Sequence, residues 1–199
     1  PDFSIPTQHL PISMKQTRLV KMLMRHGNMT AVARELCQQK GIPYDDDQLH
    51  KLASSFIRLR IRHDFPFWAA LTVFIRKKGG GSDVRFILTR PQRRFVERLE
   101  RLRLANRPIR IILLKARQWG GSTTSQIYME WLQLVHVKGL NSVIIAHQQY
   151  GSDNIKEMFK KMLDRYPAEL LHELGESYAP NEAKLVGVGK SGLTHKVPQ

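Results

Sequence analysis

Apolar residues recur every three to four positions through the first third of the chain: Leu19, Met22 and Leu23, then Ala31, Val32 and Leu36, then Leu49, Leu52, Phe56 and Leu59. That interval is the period of a helix turning one face to a core, and it predicts three short amphipathic helices between about Ser13 and Arg62. Asn28 to Thr30 offers a cap for the second. Gly41-Ile42-Pro43 and the run Asp45-Asp46-Asp47 separate it from the third, where carboxylates suit the positive end of a helix. The basic string Arg58, Arg60, Arg62 closes that helix.

From Phe67 the pattern changes. Leu71 to Ile75 and Val84 to Leu88 are β-rich runs on either side of Lys77-Lys78-Gly79-Gly80-Gly81-Ser82, which predicts a hairpin or strand pair. Pro91-Gln92 then leads into a helix from Arg93 to Asn106, with Phe95, Leu99 and Leu102 inward and arginines outward, a face more often solvated than binding. After Arg107-Pro108, the apolar run Ile109 to Leu114 has strand length and feeds Lys115-Ala116-Arg117-Gln118-Trp119-Gly120-Gly121-Ser122-Thr123. A helix rich in Ile127, Met129, Trp131, Leu132 and Leu134 follows. A second buried strand, Ser142 to Ala146, and an amphipathic helix from about Asp153 to Tyr166 complete a strand, helix, strand, helix series. Such alternation predicts an α/β domain with a parallel sheet and right-handed crossovers. The tail from Ala168 is weakly patterned, with a strand candidate at Lys184 to Val188.

Composition narrows the partners. Thirty-two Lys and Arg against seventeen Asp and Glu give a formal charge of +15, which favours a polyanion such as nucleic acid over a merely soluble basic surface. The single cysteine, Cys37, lies in a helical pattern and predicts a buried spectator thiol and a reducing, cytoplasmic setting. No apolar stretch nears the roughly 20 residues of a membrane span, and no signal-peptide pattern opens the chain. The histidines show no metal-ligand spacing, so magnesium accompanying a nucleotide is the one metal expected. The start at Pro1 and the unpatterned end read as a piece excised from a longer protein.

A loop with two glycines and then Ser-Thr, between a buried strand and a helix, is a setting in which backbone N–H groups wrap a phosphate at the positive end of a helix. In the common phosphate loop a lysine precedes the hydroxyl residue. Gly121 holds that slot here, and Lys115 and Arg117 stand at the front of the loop to deliver the cation instead. An ordinary glycine-rich strand-to-helix turn is the competing reading.

The residues KARQWGGSTT after an apolar run resemble the deviant Walker A motif of the large terminase subunits of tailed bacteriophages. The resemblance implies an incomplete P-loop NTPase over residues 65–199, preceded by a helical segment over 1–64 and ending before Walker B and the nuclease. It implies ATP and Mg2+ as cofactors. Lys115 takes the phosphate-contacting role, with Arg117 beside it, Gln118, Gly120 and Gly121 in the cradle, Ser122 as the magnesium hydroxyl and Thr123 as a further phosphate contact. Thr89 to Phe95 matches in kind the family's adenine-contacting element, with Pro91 and Gln92 at its centre; a glutamine amide both donates and accepts, as an adenine edge requires. Val143 to Gln148 resembles the strand and loop that couple nucleotide to DNA. The parent protein would be a ring-forming ATPase at the procapsid portal in the host cytoplasm, with double-stranded DNA, portal protein and small terminase subunit as partners.

One departure stands out: no strand ending in paired acids follows Thr123, so the fragment is expected to be inactive alone. Trp119 either shields a nucleotide or packs under the loop, while Trp68 and Trp131 read as core. A different class of function stays open at the other end of the chain. Met29 to Leu36 has the small-residue spacing of the first helix of a helix-turn-helix, and the Arg-rich helix after it can lie against phosphates, as in a non-catalytic DNA-binding module.

Overall fold

A computed structural model describes residues 10–76, 81–114, 118–137, 142–145, 157–162, 164, 166, 185–188 and 192–195. The chain divides into two compact units, Pro1–Asp64 and Phe65–Gln199.

The first unit is helical: α1 (Ile12–Lys15), α2 (Arg18–His26), α3 (Met29–Lys40) and α4 (Asp46–His63). Four helices form where the apolar period predicts three, because Thr17 breaks the first stretch; its hydroxyl donates to the Met14 carbonyl at 2.6 Å. Between α2 and α3 lie just two residues. Gly27 ends α2 in the left-handed region at φ 77, and Asn28 caps α3 by accepting from the Ala31 N–H. Asp45 does the same for α4, accepting from the Gln48 N–H, with Asp46 and Asp47 in the first turn. Met14, Val20, Leu23, Met29, Val32, Leu49 and Phe56 form one buried cluster. Cys37 is buried, as a helical apolar position should be.

The second unit contains α5 (Phe65–Thr72), β1 (Phe74–Arg76), β2 (Asp83–Arg85), α6 (Arg90–Leu104), α7 (Gly121–Trp131), a π turn at Leu132–His136, then β3 (Ser142–Ile145), β4 (Leu185–Val188) and β5 (Gly192–His195). Its core is aromatic. Phe65, Trp68 and Trp131 are essentially inaccessible to solvent. Phe65 meets Tyr128 and Trp131 edge-on at 5.3 and 5.4 Å between centroids, a geometry worth about 0.5–1.5 kcal/mol per pair beyond burial. The Trp68 indole N–H donates to the Tyr166 hydroxyl at 2.9 Å.

The parallel sheet of a P-loop domain is not formed. Every strand pair among the described residues is antiparallel: β1 with β2, and β3-β5-β4 in a second sheet. β4 and β5 are three residues apart in sequence, and a connection that short permits only antiparallel pairing, whereas parallel strands need a crossover of a dozen residues or more. β3 then adds to β5 rather than to a strand upstream. The run Ile109 to Leu114, expected as the first buried strand, is without regular structure, and Ile112 and Leu114 are fully exposed. An apolar run by itself does not distinguish a sheet interior from an extended segment lacking a ladder. Leu71 and Thr72 likewise belong to α5, because Phe65 to Thr72 buries four residues on a helical spacing.

No helix among the described residues is long and apolar enough to cross a membrane.

Glu130 sits inside this core. It is 3% exposed, and its carboxyl accepts from the Gln126 side-chain amide at 2.9 Å. Burial pushes its pKa up to about 8 from 4.5, against a smaller lowering by Gln126. A carboxyl with a raised folded-state pKa binds its proton more tightly when folded, so its contribution is full below about 4.5 and is lost as pH rises through about 8. Urea unfolding followed from pH 5 to 9 should therefore show a decline in stability that Glu130→Gln abolishes; an identical decline in the variant would remove Glu130 as its source.

Candidate functional site

The candidate site is built where α6 and α7 begin. Thr89 precedes α6, Pro91 occupies its first turn, and Gln92 stands at the third helical position. There its Oε1 accepts from the Thr89 N–H at 2.8 Å, the returning arm of a capping box. Its Nε2 donates to the Trp119 carbonyl at 3.3 Å. Gln92 is 5% exposed, so a polar amide is buried with both ends engaged, one on its own helix and one on the loop 27 residues later.

The loop closes tightly against that amide. Gly120 adopts φ 78, and a Cβ at this position would stand 2.6 Å from Gln92 Nε2. Any side chain here takes a strained backbone and forces the Gln92 amide to shift, and glycine avoids both. Gln118 also has positive φ, at 61, a conformation that costs a non-glycine residue on the order of 1 kcal/mol and concentrates at functional sites. Trp119, between them, packs its indole edge-on to Phe95 of α6 at 5.9 Å.

From Gly120 the chain enters α7. The N-cap is Gly120, which has no side chain to cap this helix, so among the described residues no side chain accepts from the N–H groups of its first turn, which stand at the positive end of the helix dipole. The hydroxyls sort into two sets. Thr124 Oγ1 donates to the Gly120 carbonyl and Ser125 Oγ to the Gly121 carbonyl, both at 2.9 Å. Ser122 is exposed and Thr123 half-buried, leaving these two facing outward in the first turn.

The structure thus brings Gln92 together with Trp119, Gly120 and the start of α7, and puts Pro91 in the exposed first turn of α6. Gln118 is exposed beside them. Lys115 and Arg117 lie outside the described residues, as do His147 and Gln148. The Gln92 amide is already committed to protein partners, so an adenine contact through it requires exchange of the Trp119 bond rather than simple docking.

A second clamp was not legible in the motifs. Glu100, two turns along α6, accepts from the Tyr128 hydroxyl of α7 at 2.6 Å and from Arg103 Nε and Nη2 at 2.7 Å each. Burial, and then the Glu100 carboxylate, raise the Tyr128 hydroxyl pKa well above its ordinary value. The Glu100 hydrogen bond holds the Arg103 pKa above its usual value, and the guanidinium lies 5.3 Å over the Trp131 ring. Glu100 sits in sequence among arginines of a helix whose face reads as solvated, and nothing in that spacing singles it out. The buried Glu130 had a clearer signal, as the lone acid in a dense apolar stretch.

Among the described residues no group of three His, Cys, Asp or Glu side chains comes together to hold a metal. No protein-family model, curated protein or solved structure matches the chain.

The contact between Gly120 and Gln92 is testable by a double-mutant cycle. Gly120→Ala should destabilise the chain by about 1–2 kcal/mol or more, from the left-handed backbone together with the clash. In a Gln92→Ala background the clash disappears and only the backbone cost remains, so the measured penalty should shrink. Equal penalties in both backgrounds would show that the amide does not press on the glycine.

Proposed function

We propose that the chain binds the polyphosphate of ATP at the N-terminus of α7 and serves as the nucleotide-binding part of a DNA-packaging motor of the large-terminase kind. One observation carries this: the upstream glutamine element and the glycine loop, 27 residues apart in sequence, are joined through the Gln92 bond to the Trp119 carbonyl, at a helix start whose N-cap is a glycine and whose amides have no side-chain cap among the described residues. Helix amides and dipole attract an anion whatever sheet stands behind them, so the site does not need a parallel sheet. The left-handed Gln118 and Gly120 add support, since backbone strain of this sort gathers where a loop must approach a ligand closely.

In this reading Lys115, with Arg117 beside it, supplies the positive charge that Gly121 cannot. Magnesium arrives on the phosphates, and the exposed Ser122 hydroxyl suits it as a single protein ligand, because this ion keeps several waters and takes few protein groups. Thr123 offers a further hydroxyl to the phosphates, and Trp119 covers the loop from the α6 side.

Calorimetric titration of the full chain with ATP and magnesium tests the proposal. The wild type should bind, and Lys115→Ala should weaken binding by roughly tenfold or more, the worth of one charge-assisted contact. A folded wild type that takes up no nucleotide would sink the proposal; unchanged affinity in the variant would sink the role of Lys115.

The two-residue corner between α2 and α3 favours a second reading, a DNA-binding module. A short glycine-containing turn between two helices is one feature of a helix-turn-helix, although that motif's turn runs to about three or four residues, and it makes α3 the second helix of the pair where the spacing suggests the first. Arg34 and Gln38 are exposed along it, side chains able to meet base edges. In that case the chain should enrich a preferred sequence from a random duplex pool, and Arg34→Gln should erase the preference. No enrichment by the wild type would leave the corner a packing feature.

A further inference from the structure

We infer that one face of α6 is a docking surface for the sugar–phosphate backbone of nucleic acid. Arg90, Arg94, Arg98 and Arg101 follow one another at intervals of four, four and three, so they share a face of the helix within about 80° of arc. All four are exposed. The opposite face is used up in the core, where Gln92, Val96 and Leu99 are buried.

Position and chemistry agree. The row is roughly 16 Å long at 1.5 Å per residue, and one strand of a duplex presents a phosphate about every 3.4 Å along its axis. Four or five phosphates therefore fall within reach of four guanidinium groups. From Arg85 to Arg110 there are nine arginines, half of the chain's eighteen, and not one lysine. A solvated face needs only charge and draws on both residues; the guanidinium fork matches a phosphate bidentately and an ammonium does not.

The charges on this face are also unspent. Among the described residues none of these four arginines is in a salt bridge, whereas Arg103, on the inward side, is paired with Glu100. Glu97 is the one acid on the arginine face, and Glu100 is turned to Arg103 and Tyr128.

Two other polyanionic partners fit less well. A helix that lies on a lipid surface inserts its apolar stripe, and on α6 Val96 and Leu99 are buried with Phe95 and Leu102 half-buried. A protein partner would need an apolar anchor at the centre of the contact, yet between Arg90 and Arg101 Pro91 is the only exposed apolar residue. The inference does not rest on nucleotide binding, although α6 also carries Gln92 and would connect such a surface to the loop.

Fluorescence anisotropy of a labelled 20-base-pair duplex and a 20-nucleotide single strand with the full chain, over a salt series and without ATP, tests it. Arg94→Gln, Arg98→Gln and Arg101→Gln combined should weaken binding at least tenfold and reduce the slope of log affinity against log salt by about 2 to 3, one per lost phosphate contact. The thermal melt should be unchanged, since the side chains are exposed. The corresponding triple lysine variant should keep the slope, and provides the comparison if the glutamine variant melts early. An unaltered affinity and slope in the glutamine variant would overturn the inference. So would a wild type that binds phosphatidylserine vesicles and neither nucleic acid.

Discussion

A buried glutamine amide with a backbone partner at each end fixes the geometry of the candidate site. Gln92 cannot leave its place without breaking its bonds to two backbone groups: the Thr89 N–H at the head of α6 and the Trp119 carbonyl in the loop. The closeness of Gly120 follows from this, as does the seat of Trp119 against Phe95. The loop is held by a hydrogen bond and a steric limit at once, and a substitution relieving one is felt by the other. Such coupling lets a loop of few residues keep a strained backbone.

The two ends of the α6 and α7 pairing are fastened by different chemistry. Near the loop the fastening is neutral, amide to carbonyl. Farther along it is ionic, with Glu100 shared between Tyr128 and Arg103, and Arg103 laid on Trp131. Arginine therefore has two uses on a single helix. Arg103 is drawn inward and spent on structure, and the row on the outer face keeps its charge for a partner. A helix so rich in one charge is intrinsically self-repelling, and inward pairing of one member lowers that repulsion without dulling the outer face.

Much of the first unit was legible in the sequence. Apolar spacing predicts three of its four helices, Asn28 falls in the predicted cap of α3, and the acidic run that begins at Asp45 marks the start of α4, because such signals are local and depend on nothing beyond a few neighbouring residues. The second unit was legible only in part. Helix α6, the start of α7, and the core positions of Trp68 and Trp131 follow from pattern. Sheet topology does not, since Ile109 to Leu114 and Ser142 to Ile145 read alike as apolar runs, and only the second finds a ladder. The motif residues Gln92 and Gly120 were visible as chemistry, but their contact was not, because it depends on how two helix starts meet. Glu100 is hidden by its arginine neighbours, whereas Glu130 stands out as the lone acid of an apolar stretch.

The extended segment from Ile109 to Leu114 affects the thermodynamics of the second unit. Its three isoleucines and Leu114 meet water in the folded chain, Ile112 and Leu114 completely. The positive heat-capacity change of unfolding arises from apolar surface that becomes hydrated during the transition. Side chains already hydrated add nothing to it. The second unit should thus have a flatter stability curve, varying less with temperature on either side of its maximum, than its content of aliphatic residues alone suggests.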